Sequence, residues 1–250
     1  MSGHSKWSGI KHKKAIVDAK RGKLFTKLIK EITVAAKQGG GDPGANPRLR
    51  AAIQNARDAN MPGVNIERAI KKGTGELPGV HYEEMTIEGY GPSGVAIMAE
   101  ILTDNRNRTL SEIRHLFVKY NGNIGENGCV AWLFHKKGVL TFTAKDYSED
   151  KLMELSIEAG AEDLKNEGDT FVATSLPKDF ARLKEIFVAN GITPIVAEIT
   201  MIPKNTVKVD GKDAMQTLRI VEALEEHDDV QHTYSNFDIP DELLAKASEQ

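Results

Sequence analysis

One cysteine in 250 residues leaves nothing from which to build a disulfide framework, and Cys129 on its own fits a reducing cytoplasm. No apolar run approaches the roughly 20 residues of a membrane-spanning helix, so no membrane partner is expected. The lysines near the start have no apolar stretch behind them, which argues against a secretory signal. The Arg-rich amphipathic pattern of a mitochondrial leader is missing too. Catalytic and metal patterns are equally scarce. His4 and His12 stand eight apart, which matches no usual ligand spacing. Cys129, beside Val130 and Trp132, reads as a small core residue in an apolar strand, and His115 supplies no Cys-His mechanism. The GGGDPG segment lacks the Gly-x4-Gly-Lys-Ser/Thr pattern and a preceding strand. EEHDD at 225–229 reads as a solvated turn rather than a cation site. No enzyme, cofactor or metal is expected.

Acidic charge is what the first third lacks. Residues 1–80 carry 16 Lys and Arg against 6 Asp and Glu, a net +10, and the rest of the chain brings the total to -3. Within residues 1–37, ten Lys and Arg face only Asp18 and Glu31. A basic head on an acidic body points to a polyanion as the partner of the head.

Hydrophobic periodicity divides the chain. Leu24, Phe25, Leu28, Ile29, Ile32 and Ala36 recur at helical spacing, with Lys23, Lys27, Lys30 and Lys37 outside the stripe. GGGDPGANP breaks that helix, and Asn46-Pro47 supplies an N-cap and a proline at N1 for the next. That helix presents Leu49, Ala52, Ile53 and Ala56, and Met61-Pro62-Gly63 stops it. A third helix, NIERAIKK, is expected to end at a Gly73 C-cap. Beyond the GTGELPGVHY linker, strands and helices alternate: HYEEMTIEGY and VAIMAEILTD across a GPSG turn, then NRNRTLSEIRHLFVKY with a Thr109–Glu112 capping box, then a CVAWLFH strand. From 137 onward the order is β-α-β-β-α-β, the ferredoxin-like unit. The expected class is α+β: an N-terminal all-helical domain followed by two ferredoxin-like α/β domains, one inserted into the other. The expected bounds are 1–78, 79–135 plus 203–250, and 136–202 for the insert.

Lysine and arginine bind nucleic acid by displacing counterions, so the basic positions are the candidate contacts. They are His4, Lys6, Trp7, Lys11, His12, Lys13 and Lys14 in the Gly/Ser-rich arm, and Lys20, Arg21, Lys23 and Lys27 in the first helix. Arg48 and Arg50 follow in the second, and Arg106 and Arg108 at a strand-to-helix junction. Trp7 has two readings, a stack on an exposed base or a staple onto the helical domain. Arg106 and Arg108 oppose a helix dipole unless an anion satisfies them; Glu100, Asp104 or Glu112 could equally do so from within.

GHSKW with IKHKKA, DAKRGKLF with TKLIKEI, GGGDP with NPRLR, NMP with NIERAIKKG, EGYGPSGVA and TDNRNRT together resemble the YebC/PmpR family, which includes the mitochondrial translational activator of cytochrome oxidase. The matching signatures span residues 1 to about 135. The resemblance implies three domains and a cytoplasmic, non-enzymatic regulator of gene expression. Members are usually described as probable transcriptional regulators that bind DNA, others as ribosome-associated factors that promote translation through proline-rich stretches. A basic arm with a stackable aromatic favours ribosomal RNA; the usual family description favours DNA. The expected partner is therefore DNA or ribosomal RNA, with the ribosome as a further candidate and a monomer compatible with the sequence.

Overall fold

Asn46 shows how local chemistry sets the first elements. Its side-chain oxygen accepts from the Leu49 backbone N–H at 3.0 Å and its amide donates back to the carbonyls of Ala35 and Gly40. One side chain thus closes helix α1 (Asp18–Gly39) and opens helix α2 (Pro47–Asp58), which carries proline at its start. Helix α3 (Gly63–Thr74) follows. The three share a core of Ile32, Ala36, Leu49, Ile53, Ala56, Ile66 and Ala69, with Phe25, Leu28 and Ile29 at its margin. The structure, a computed structural model, describes residues 18–240 and 242–244.

The C-cap of α3 is displaced from its expected place. The left-handed residue is Gly75, at φ 85°, and Gly73 lies within the helix. A Cβ at Gly73 would stand 2.4 Å from the Thr33 carbonyl oxygen and 2.7 Å from the Ala36 Cβ. Gly73 serves close helix–helix approach rather than termination.

Two antiparallel sheets follow. The first contains β1 (Glu83–Tyr90), β2 (Ala96–Thr103), β3 (Asn123–Ile124) and β9 (Val230–Ser235), in the spatial order β3-β1-β2-β9. Helices α4 (Arg106–Lys119) and α7 (Gly211–Glu226) belong to it, so its chain order is β-β-α-β-α-β. The second sheet interrupts this path between β3 and α7. It comprises β4 (Phe134–Thr143), α5 (Glu149–Ala159), β5 (Asp163–Asn166), β6 (Thr170–Ser175), α6 (Phe180–Ala189) and β7 (Val196–Pro203). Its order β5-β6-β4-β7 is that of a ferredoxin-like unit. Leu140, Phe142, Leu152, Leu155, Phe171, Leu183 and Phe187 fill the layer between its strands and helices. A two-residue pair, β8 (Val207–Lys208) with β10 (Phe237–Asp238), runs parallel. Among the described residues, 132–206 form one compact unit, and 18–131 with 207–244 form another.

Two local expectations need correction. CVAWLFH is not one strand: β4 begins at Phe134, and a turn and a short 3-10 helix (Ala131–Leu133) precede it. The cause is Glu88, 5% exposed, whose carboxylate accepts from the N–H groups of Gly128, Val130 and Ala131 at 2.7–2.8 Å. Those donors are withdrawn from any ladder, and Cys129 sits in the loop they shape. The cap of α4 is Asn105, whose side chain accepts from Arg108 N, so the Thr109–Glu112 box does not form. Thr109 is instead fully buried one turn inside the helix.

Candidate nucleic-acid interface

Lys23, Lys27 and Lys30 are spaced i, i+4, i+7 on α1 and therefore share one face. That face meets the end of α7. Lys23 Nζ donates to Glu226 O at 3.1 Å, Lys27 Nζ to Glu225 O at 2.6 Å, and Lys30 Nζ to Asp228 O at 3.0 Å. The last carbonyls of a helix have no partners within it and lie at the negative end of its dipole, so the ammonium groups of Lys23 and Lys27 are well placed there, with Lys30 just beyond the helix end. Lys30 also pairs with the Asp229 carboxylate.

Asp229 is 3% exposed and collects donors from three directions. Its Oδ2 accepts from Thr109 Oγ1 at 2.6 Å, Arg108 Nη2 at 2.8 Å and Thr103 Oγ1 at 3.2 Å. Burial alone would raise its pKa; the hydrogen bonds from Lys30, Thr109 and Arg108 outweigh it and hold the carboxyl well below the usual range. EEHDD is thus no solvated turn but the anchor between the helical head and the first sheet. Its ionic character looked like solvation in sequence because its cations lie about 200 residues away.

The same cluster excludes a cation. Glu112, His227 and Asp229 bring ligand atoms within 4.8 Å of one another. However, His227 Nδ1 accepts from Asp229 N at 3.1 Å, which places the proton on Nε2, facing Glu112 Oε2 at 3.0 Å. Asp229 already holds two cationic side chains. A metal ion would have to displace both.

Lys27 bears the cost of this arrangement. Burial lowers its pKa to about 8, against the opposing pull of Glu225 and Asp228, with Lys23 and Lys30 adding to the drop. Between pH 8 and the ordinary lysine value near 10.5, the unfolded chain binds this proton and the folded one does not, so this contribution to stability rises with pH. Lys27→Met is expected to be more stable than the parent at pH 7 by roughly 1–2 kcal/mol, the lost bond to Glu225 offsetting part of the relief. The advantage shrinks towards pH 10 in urea titrations, and a pH-independent difference would refute it.

Arg48 is also engaged within the chain. It forms a two-point pair with Glu31 at 2.7 and 2.9 Å, bonds Gln38 Oε1 at 2.8 Å and pairs with Glu84. The hydrogen bond to Glu31, followed by the charge of Glu31 and the pair with Glu84, holds its guanidinium even more firmly protonated than usual. Arg50 donates to the carbonyls of Pro43 and Gly44 at 2.9 and 3.2 Å. Arg108 divides between Asp229 and Asp104. Arg106 is exposed and has no ion pair or side-chain hydrogen bond among the described residues. His4, Lys6, Trp7, Lys11, His12, Lys13 and Lys14 lie outside the described residues, as do the side chains of Lys20 and Arg21.

Other exposed cations were not among those expected. On α3, Val64, Arg68 and Lys71 fall at i, i+4 and i+7, opposite buried Ile66 and Ala69, and Val64 is 74% exposed. Neither Arg68 nor Lys71 has a side-chain partner among the described residues. On α4, Arg114 lies two turns after Arg106 on the same face and is likewise unpartnered there. Their helical spacing was visible in the sequence; their freedom from acids was not.

Comparison with known proteins gives concordant matches. A family model for the TACO1/YebC protein N-terminal domain matches residues 5–76, and one for the TACO1/YebC second and third domain matches residues 82–237. A probable transcriptional regulatory protein of Dictyoglomus turgidum is 57% identical over 99% of this chain and 100% of its own. One from Syntrophobacter fumaroxidans is 59% identical over 98% of each chain. The crystal structure of a conserved hypothetical protein from Aquifex aeolicus superposes with a TM-score of 0.80 at 50% identity, covering 92% of this chain and 95% of that one.

Proposed function

The chain belongs to the TACO1/YebC family, and from that membership we propose that it regulates gene expression by binding nucleic acid, without catalysis of its own. The observation that carries the reading is the charge partition, a head of net +10 on an acidic body. Internal contacts occupy Lys23, Lys27, Lys30 and Arg48 but leave other cations of the head available. Arg68 and Lys71 remain outward on α3, and the arm adds Lys6, Lys11, Lys13 and Lys14. Such cations gain affinity by releasing counterions from a phosphate backbone. The names of the relatives favour DNA as the target. Ribosomal RNA, and with it a role in translation through proline-rich stretches, is the second reading, favoured by Trp7 within the basic arm.

Reversing Lys11, Lys13 and Lys14 to glutamate is expected to weaken binding at least tenfold at 0.1 M salt. The slope of log K against log salt should fall by about 2–3, one phosphate contact per lysine. Equal affinity of parent and variant at two salt concentrations would refute the assignment. Crosslinking in cells, followed by sequencing of the bound nucleic acid, separates promoter DNA from ribosomal RNA.

A further inference from the structure

Arg106 and Arg114 line the same recess of about 220 Å³, whose walls include Leu110, Met85, Ile124 and Asn127. Arg106, Leu110 and Arg114 are spaced i, i+4, i+8, so one face of α4 presents a guanidinium, an apolar side chain and a second guanidinium. The two arginines are about 12 Å apart along the helix axis. The acid of α4 is directed elsewhere, since Glu112 faces His227 and Arg108. Glu88 also lines the recess, but both its oxygens are occupied by three backbone N–H groups of the 128–131 loop. That arrangement offsets its charge and fixes the wall that carries Asn127.

The opposite wall is the edge of β1. Glu88 O accepts from Gly125 N, so the backbone of Glu88 faces away from β2, and by alternation so does that of Thr86. Strand β3 covers only Gly89 and Tyr90. Thr86 therefore offers one donor and one acceptor to the recess, and the Asn127 amide adds both kinds again. An extended peptide added to this edge would find only Thr86 within the recess and Glu84 beyond it to pair with. A nucleobase matches better: its edge needs few hydrogen bonds, its faces suit Leu110, Met85 and Ile124, and its flanking phosphates suit two arginines.

We propose that this recess holds one unstacked nucleotide of a single-stranded nucleic acid, with Arg106 and Arg114 on the phosphates either side of it. The proposal rests on the nucleic-acid reading above and assigns it a second contact, apart from the arm. A duplex keeps its bases stacked and cannot insert one without distortion.

The test uses the full chain and fluorescent 12-nucleotide single-stranded RNAs of each base. Arg106→Gln with Arg114→Gln should lower affinity at least tenfold at 0.15 M salt and reduce the salt slope by about 1.4, two single-strand phosphate contacts. Asn127→Ala should narrow the differences among the four homopolymers and leave the slope unchanged. Thermal unfolding at the parent temperature confirms that the variants fold. Thiouridine-containing RNA should crosslink to the parent within residues 106–127. An unchanged slope and affinity in the double variant, while the arm-lysine variant loses binding, overturns the recess and leaves the wider reading standing. If the parent binds no nucleic acid, both fall. Equal losses of duplex and single-strand affinity in the double variant, or equal competition by an oligoglutamate peptide, also overturn the recess.

Discussion

Asp229→Ala is expected to cost roughly 3–5 kcal/mol of unfolding free energy, the largest effect of any single substitution considered. Removing one member of a buried ionic group strands the rest, and here Lys30, at 7% exposure, would lose its counter-charge in the interior. The hydroxyls of Thr103 and Thr109 and the guanidinium of Arg108 would lose an acceptor at the same time. The pH dependence has a definite sign. The folded pKa of Asp229 is depressed, so its stabilisation is fully present above the unfolded value near 4 and is lost as pH falls towards the folded value. Urea titrations from pH 5 down to pH 2 should show a steeper acid loss in the parent than in the variant, setting in below about pH 4. Parallel curves, or a loss under 1 kcal/mol, would mean that the cluster contributes little.

Gly73→Ala is the second large effect, and here helix propensity and packing predict opposite signs. Alanine is favoured over glycine inside a helix by about 1 kcal/mol, so a reading of α3 alone predicts stabilisation. The added methyl would meet the Thr33 carbonyl oxygen at 2.4 Å, and a backbone atom in the middle of α1 cannot rotate aside. Helices α1 and α3 would have to separate, uncovering Ala36 and Ala69, each 1% exposed. A net loss of roughly 2–3 kcal/mol is expected by chemical denaturation. Gly63→Ala at the start of the same helix, where a Cβ meets nothing within 4 Å, serves as the control. A rise in midpoint for Gly73→Ala would show that the helices have room to adjust.

Gly73 and EEHDD both act through segments far away in the chain. Gly73 has the composition of a helix end, and only the crossing of α1 reveals its other use. EEHDD has the composition of a solvated turn, and only Lys23, Lys27 and Lys30, brought from the opposite end of the chain, show that it is an anchor with Asp229 buried at its end. Among the basic positions, Arg48 and Arg108 could not be told from nucleic-acid ligands, because Glu31 and Asp104 were visible nearby but Glu84 and Asp229 were not. Arg114 carries no signal in the sequence, because a lone arginine in a helix says nothing until its wall of the recess exists.

What the sequence determined by itself is local. The Asn46 cap, the spacing of Leu49, Ile53 and Ala56, the βαββαβ order from 137 onward and the surplus of positive charge all follow from residues within a few turns of one another. Interactions at that range act before and independently of the tertiary fold. The tertiary structure decided how the positive charge is divided. A lysine or arginine is equally basic wherever it stands, and whether it meets Asp229, Glu31 or a phosphate depends on which distant segment packs against it.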